Sequence, residues 1–166
     1  VERLIIHYYK PMGKEEIDPI QKVLKTLRLD IPVIIITINK TEANDYVAFD
    51  TSSEALMPLS GTIIEIAKLK YLLFNNAKYS ENGTTKDYPF PVKLALSCTD
   101  DEYLNDIPTV KELIDQVYQF SRMYWKSIKQ QNLPVTIKYP EMVAQIFPHF
   151  EGDKLPDFGK NNPWFL

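Results

Sequence analysis

Residues 33–38 have the sequence VIIITI, and every residue in this stretch is β-branched. β-Branched side chains favour an extended backbone, and apolar residues on both pleat faces are typical of a strand that is covered on both sides. A shorter run, Leu4–Tyr9 (LIIHYY), precedes it, and an amphipathic helix is predicted between the two, with Asp18 as N-cap and Pro19 at its first position. Strand, helix and buried strand in this order predict a βαβ-like unit of a layered α/β domain.

The remainder of the chain mixes strand and helix patterns. Alternating or β-branched apolar runs bounded by turn residues predict strands, and apolar positions three and four apart predict helices. The predicted strands are Tyr46–Phe49 after a turn at Asn44-Asp45, Gly61–Ile66, Tyr71–Phe74 and Val92–Leu96, and the predicted helices are one opening with a capping box at Thr109–Glu112 and a shorter one beginning near Pro140. Residues 77–90 are predicted to form a loop.

Composition excludes several classes of protein. The 166 residues suit one domain, and 45% hydrophobic with 25% charged residues is close to the globular average. The longest apolar run is residues 33–38, whereas a membrane span needs about 20 residues, and no secretory signal is evident. The lone Cys98 suits a reducing compartment, so we expect a cytoplasmic protein with no membrane partner. Since Val1 is not an initiator methionine, we also expect a fragment of a longer chain.

Conventional catalytic motifs are missing from the sequence. Two-metal hydrolysis needs carboxylates that hold two cations about 4 Å apart. The densest acidic cluster is Asp100-Asp101-Glu102, for which a solvated turn is the favoured interpretation and a metal site the alternative. His7 and His149 do not fall in a metal-ligand spacing, and His7 is predicted to be a hydrogen-bonded core histidine.

The segment from Arg122 to Lys138 contains four cations and no acid, although the chain as a whole has 19 Lys and Arg against 22 Asp and Glu and a net charge of −3. Overall charge therefore does not favour nucleic-acid binding, but a local basic surface stays possible. Cations displace counterions from phosphates while aromatic, amide and hydroxyl groups bind bases and phosphate oxygens. The alternative is a helix carboxyl terminus, where cations offset the helix dipole. The candidate binding residues are Arg122, Tyr124, Lys126, Lys129, Gln130, Asn132, Thr136 and Lys138.

Two adjoining stretches, Tyr118–Lys126 (YQFSRMYWK) and Asn132–Ala144 (NLPVTIKYPEMVA), resemble the last part of the PIWI domain of Argonaute proteins. The end of the chain, Trp164-Phe165-Leu166, resembles that of prokaryotic Argonautes, particularly the short ones without nuclease activity. Earlier segments resemble the same domain in order, so residues 1–166 are identified as a PIWI-like domain. The resemblance implies an RNase H-like α/β fold, a mixed β-sheet flanked by helices, of which this chain would be the C-terminal portion. A MID domain and the start of the PIWI domain would then lie upstream.

The resemblance also implies a broken catalytic centre. Slicing Argonautes hold two divalent cations on a tetrad of acidic residues, the fourth sometimes being histidine or asparagine. The later catalytic aspartate falls at Lys10 in this sequence, and the last position of the tetrad falls at Glu141. An ammonium group cannot ligate Mg²⁺ and repels it. The resemblance therefore implies no catalytic residues and a place in the short, inactive class.

Guide binding is the function that remains. In the family, the positions matching Tyr124, Lys126, Asn132 and Lys138 line the guide backbone. The terminal carboxylate, here that of Leu166, ligates a divalent cation such as Mg²⁺ together with the guide 5′-phosphate in some prokaryotic members. Short Argonautes typically work with a partner that carries an APAZ region and an effector of the TIR or sirtuin type.

We therefore expect a non-catalytic domain that holds a short guide, expected to be RNA, for pairing with a complementary DNA target in prokaryotic defence. Two alternatives stay open at this point. One is a divalent-metal-dependent guided nuclease that uses Glu141 with upstream carboxylates. The other is a protein-interaction module whose basic segment contacts an acidic protein.

Overall fold

The computed structural model describes residues 1–43, 45–52, 54, 56–75, 90–100, 102–124 and 133–149. Within them, five strands form one sheet with the order β1-β2-β5-β4-β3. The strands are β1 (Leu4–Tyr8), β2 (Val33–Asn39), β3 (Thr62–Ala67), β4 (Lys70–Phe74) and β5 (Val92–Cys98), and the α-helices are α1 (Lys14–Thr26), α2 (Ile107–Arg122) and α3 (Val135–Ile146). β1 and β2 are parallel, and the other neighbouring strands are antiparallel. The predicted mixed sheet flanked by helices is confirmed.

The βαβ unit predicted from residues 33–38 is present. β1 and β2 are connected through α1 and run parallel, with Leu4 opposite Val33 and Tyr8 opposite Thr37. β2 is buried on both faces over most of its length, as its β-branched sequence predicts. Because the two strands are parallel, their carboxyl ends lie at the same edge of the sheet.

The main core lies between the sheet and α2. Apolar residues three or four apart on one side of α2 are buried against β2, β4 and β5, which follows from the 3.6-residue helical period. The buried apolar residues of α2 are Val110, Leu113, Ile114 and Val117. Phe120, near the end of α2, is only partly buried, and its ring lies edge-on to that of His7 with 5.8 Å between centroids.

Two helix starts differ from the prediction. α1 begins at Lys14 and not after Asp18, because the Glu16 carboxylate accepts a hydrogen bond from the Gly13 backbone N–H at 2.9 Å and caps the helix there. α2 is capped by Asp106 and not by Thr109, since Asp106 Oδ2 accepts from the Thr109 backbone N–H at 2.9 Å and from its hydroxyl at 2.6 Å. Both observed caps lie a few residues before the predicted ones.

Two further elements also differ. α3 begins at Val135, well before Pro140, which lies inside the helix; one proline removes only one helical hydrogen bond. The segment 46–49 is not a strand, because a 3₁₀ turn at Thr41–Ala43 ends β2 and Tyr46 donates its N–H to Ala43. Asn44 and, apart from Phe90, the predicted loop 77–90 lie outside the described residues. In the part of the chain that is described, none of the helices combines the length and apolarity needed to span a bilayer.

Candidate functional site

A groove of about 760 Å³ lies at the sheet edge where β1 and β2 end, between these strand ends and α3. Parallel pairing brings the residues that follow the two strands together, and α3 packs over them. Residues of α3 three or four apart face the same side of the helix, so one stripe of it forms the opposite wall. The lining residues are His7, Tyr8, Tyr9, Ile38, Asn39, Lys40 and Thr41 from the strand side, and Leu133, Thr136, Ile137, Pro140, Glu141 and Ala144 from the helix side.

A hydrogen bond between His7 and Thr136 connects β1 to α3 within the groove. The His7 Nδ1 atom lies 2.7 Å from the Thr136 hydroxyl oxygen. Burial lowers the pKa of His7 to about 4, so the imidazole is neutral at neutral pH. His7 is therefore a hydrogen-bonded, partly buried histidine that holds one wall of the groove to the other.

We expect His7 to make the protein less stable in acid. Its pKa is about 4 in the folded state and 6.5 in the unfolded state, so between these values the unfolded chain binds more protons. The free energy of unfolding is therefore not reduced by His7 above pH 6.5, and it decreases as the pH falls from 6.5 towards 4. Denaturant unfolding measures the free energy of unfolding at pH 7 and at pH 4.5. Between these two pH values we expect this free energy to fall by about 2 kcal/mol more in the wild type than in His7→Asn, after allowance for solvent screening. Equal drops in the two proteins would contradict this role of His7.

Lys40 lies at the rim of the groove, in a turn that is held by side-chain hydrogen bonds. The Asn39 side chain accepts the Glu42 backbone N–H at 2.9 Å and donates to the Glu42 carboxylate at 3.0 Å. Lys93 on β5 donates to the other Glu42 oxygen at 2.8 Å, which fixes the turn to the sheet. Lys40 is exposed, and among the residues that the structure describes it has no ion-pair partner. Lys40 was not among the binding residues predicted from the sequence, although it directly follows the buried strand β2.

Lys10, just beyond the end of β1, is paired with an acid from α1. Its ammonium nitrogen lies 3.2 Å from Glu16 Oε1, and the Tyr8 hydroxyl donates to the same oxygen at 2.9 Å. The pKa of Glu16 is lowered, first by the hydrogen bond from the Gly13 backbone and then by those from Tyr8 and Lys10. Glu16 therefore stays ionised, and Lys10, the residue predicted from the resemblance to occupy a catalytic position, is a cation paired with a carboxylate.

Glu141, the other residue predicted from the resemblance to occupy a tetrad position, lines the groove. Its Oε2 atom accepts a hydrogen bond from the Lys138 ammonium at 2.8 Å, which is an ion pair across one helical turn. Within residues 1–149, leaving out the gaps named above, no group of three or more His, Cys, Asp or Glu is placed to hold a metal ion. Asp100 accepts the Glu102 backbone N–H at 3.0 Å in a local turn, and Asp101 is not among the described residues.

The described candidates from the basic segment lie in different places. Thr136 lines the groove, and Lys138 pairs with Glu141, which also lines it. Tyr124 contacts a different side of α3: its ring centroid is 6.1 Å from that of Tyr139, and its hydroxyl donates to Met142 Sδ at 3.8 Å. The Arg122 guanidinium lies at the end of α2, 5.8 Å from the centroid of the Tyr118 ring. The structure thus brings Thr136 and Glu141 together and does not place Arg122 or Tyr124 in the groove.

Five candidate residues lie outside the described part of the chain, and their roles stay predictions. The residues are Lys126, Lys129, Gln130, Asn132 and Leu166. The Mg²⁺ expected at the terminal carboxylate stays a prediction for the same reason.

The arrangement of the sheet and α3 is that of an Argonaute PIWI-like fold. A structure of Aa-Ago with externally bound siRNA matches with a TM-score of 0.56 and 14% identity over 92% of this chain and 18% of that one. A structure of Marinitoga piezophila Argonaute in complex with 5′-OH guide RNA matches with a TM-score of 0.55 and 16% identity over 87% of this chain and 19% of that one. At these identities the likeness establishes the fold.

Two sequence relatives are similar to nearly the whole chain. A Piwi protein of Archaeoglobus fulgidus is 28% identical over an alignment of 165 positions that covers 92% of this chain and 37% of that protein. An argonaute protein of Cereibacter sphaeroides is 23% identical over an alignment of 185 positions that covers 99% of this chain and 23% of that protein. No protein-family model matches the chain. The similarity to Argonaute and Piwi proteins that the sequence predicts is therefore confirmed, and the chain spans 37% and 23% of the length of these two relatives.

Proposed function

We propose that this PIWI-like domain helps to hold a short guide strand for pairing with a complementary target, and that it does not cut the target itself. We further propose an RNA guide, a DNA target and a role in prokaryotic defence, as in the short, inactive Argonautes. The observation that carries the proposal is the groove at the ends of β1 and β2, which has at its rim Lys40, a cation without an ion-pair partner among the described residues, and beside it the paired cation Lys10. Relatives named Piwi and argonaute support the same assignment.

The chemistry of the groove suits a nucleic acid strand. Lys40 supplies a cation for phosphate, Thr136 supplies a hydroxyl, and Tyr9 supplies an exposed aromatic ring. Cations release counterions from phosphates, neutral donors position the backbone, and aromatic rings accept bases. In this mechanism the protein holds the backbone, and base pairing between guide and target supplies the sequence specificity.

The charges at the two tetrad positions support a non-catalytic domain. Two-metal hydrolysis requires carboxylates that converge on the cations. At the first position the Lys10 ammonium would repel a divalent cation, and the neighbouring Glu16 is already bonded to Lys10, Tyr8 and Gly13. At the second, Glu141 is paired with Lys138. Since the proposed domain binds without cutting, we propose that the chemistry resides in a partner with an APAZ region and a TIR or sirtuin-type effector.

The proposal is tested on the full-length protein that contains this chain. We expect short nucleic acids of uniform length to co-purify with it, and a labelled complementary target to stay intact with guide and Mn²⁺. A slicing Argonaute under the same conditions is the positive control. A discrete cut in the target would overturn the non-catalytic assignment in favour of a guided nuclease. Absence of any uniform short strand, together with failure to bind added guide, would favour a protein-interaction module.

A further inference from the structure

We infer that the groove at the ends of β1 and β2 is a site for a single unpaired nucleotide, with its base stacked on Tyr9 and its phosphate beside Lys40. This inference deepens the proposed function and rests on it for the nature of the strand. The proposed function concerns the strand as a whole, whereas this inference names one site at which a single base is unstacked from its neighbours and contacts the protein.

The inference is supported first by the ring of Tyr9, which is exposed but held in place by a neighbouring ring. Tyr9 is 60% exposed, although it lines the groove, and its ring centroid lies 4.9 Å from that of Tyr8. Tyr8 is itself held, because its hydroxyl donates to Glu16 at 2.9 Å and the Lys10 ammonium lies 5.8 Å from its ring centroid. The Tyr9 ring is thus held by its contact with Tyr8 and remains largely exposed to solvent. Such a ring is a surface on which a base can stack.

The opposite wall of the groove is apolar. Leu133, Ile137, Pro140 and Ala144 contribute aliphatic surface from the α3 side. A flat base between this wall and Tyr9 would be covered on both faces, which removes apolar surface from water. The groove volume of about 760 Å³ lies within the range of about 300–1,000 Å³ that is usual for small-ligand sites, so one nucleotide fits.

The groove has a cation that suits the phosphate of a nucleotide and a carboxylate that suits the amino group of a base. Lys40, at the rim, has no ion-pair partner among the described residues, and the Asn39–Glu42 hydrogen bonds fix the turn that carries it. Glu141 supplies carboxylate oxygens that can accept from an exocyclic amino group of a base. The groove thus combines a place for an anion with a place for a flat ring that carries hydrogen-bond donors.

The geometry favours an unpaired nucleotide over a base pair. A base inside a duplex has both faces covered by its neighbours and cannot stack on a side chain without leaving the helix. A base in a single strand, or one displaced at the end of a duplex, has a free face at little cost. Such a base could belong to the guide or to the target, and the chemistry of the groove is the same for both.

The test uses 2-aminopurine, a fluorescent base whose emission is quenched by stacking, in the full-length protein. It is placed at successive positions of the guide in one series and of the target in another. We expect one position to be quenched in the wild type and in Tyr9→Phe, and at least twofold brighter in Tyr9→Ala. We also expect Tyr9→Ala to bind that strand about 10-fold more weakly. Phe49→Ala is the matched control, because it removes a ring that is 65% exposed and does not line the groove.

The outcomes separate the inference from the function on which it rests. A responsive position in the guide series assigns the nucleotide to the guide, and one in the target series assigns it to the target. Normal guide and target binding with no position that responds to Tyr9→Ala would overturn this inference and leave the proposed function standing. Failure of the wild type to bind any guide would overturn both. An equal response in Phe49→Ala would show that the site is not at Tyr9.

Discussion

Raising the monovalent salt concentration from about 50 to about 200 mM is expected to weaken guide binding about 100-fold. The logarithm of the affinity for a single strand falls with the logarithm of the salt concentration, with a slope of about −0.7 for each phosphate neutralised. Five neutralised phosphates give a slope of about −3.5, and a fourfold change in salt then lowers the affinity by about two orders of magnitude. The five proposed cations are Lys40, Arg122, Lys126, Lys129 and Lys138. The measurement is a titration of labelled guide into the full-length protein at several salt concentrations.

The Lys40→Ala variant shows whether the groove contributes to this salt dependence. We expect its slope to be shallower than that of the wild type by about 0.7, because one phosphate contact is lost. Lys25→Ala is the matched control, since it removes the same charge near the opposite end of β2, where Lys25 lines the same pocket as Val33. Equal slopes for Lys40→Ala and the wild type would place the guide elsewhere on the protein. If Lys40→Ala and Lys25→Ala changed the slope by the same amount, the salt dependence would be explained by the net charge of the protein and not by a local contact of Lys40.

Leu113→Ala is expected to lower the free energy of unfolding by about 3 kcal/mol. Leu113 is fully buried between α2 and the sheet, in the same cluster as Ile36 and Leu94. Removing buried methyl groups loses their transfer free energy and leaves a cavity that the surrounding strands fill only in part. Urea unfolding of the wild type and the variant measures the difference.

Leu27→Ala is the control for this substitution. Leu27 is 61% exposed at the end of α1, so the same change in side chain is expected to cost less than about 0.5 kcal/mol. Similar losses for the two variants would show that α2 is not packed on the sheet as described. A much smaller loss for Leu113→Ala than for other buried leucines would point to the same conclusion.

Much of the fold could be predicted because its main determinants are local in sequence. Residues 33–38 specify a buried strand by composition alone, and the apolar spacing of α2 specifies its buried face. The start of α1 was predicted wrongly because Asp18 and Pro19 were taken as the start signal, whereas Glu16 caps the helix at Gly13 and is also held by Tyr8 and Lys10 from outside the helix. Residues 46–49 have the composition of a strand but do not pair with the sheet.

The site was harder to predict than the fold. The groove exists because β1 and β2 are parallel, which brings Tyr9 and Lys40 together although 31 positions separate them in the chain. A search for clusters of cations finds the segment 122–138 and overlooks a single lysine after a strand. Thr136 was identified from the composition of the basic segment and Glu141 from the resemblance to a known domain. The position of Tyr124 against Tyr139 and Met142 depends on tertiary packing, which neither signal contains.

The pairing of Lys10 with Glu16 means that an acid at residue 10 would not by itself create a cation site. An aspartate side chain is shorter than that of lysine, so its carboxylate would not reach the position from which the Lys10 ammonium now contacts Glu16 at 3.2 Å. Glu16 would keep its hydrogen bonds from the Tyr8 hydroxyl and the Gly13 backbone, which already engage both of its oxygens. A design that sought to place a divalent cation here would therefore have to change the surroundings of Glu16 as well as Lys10.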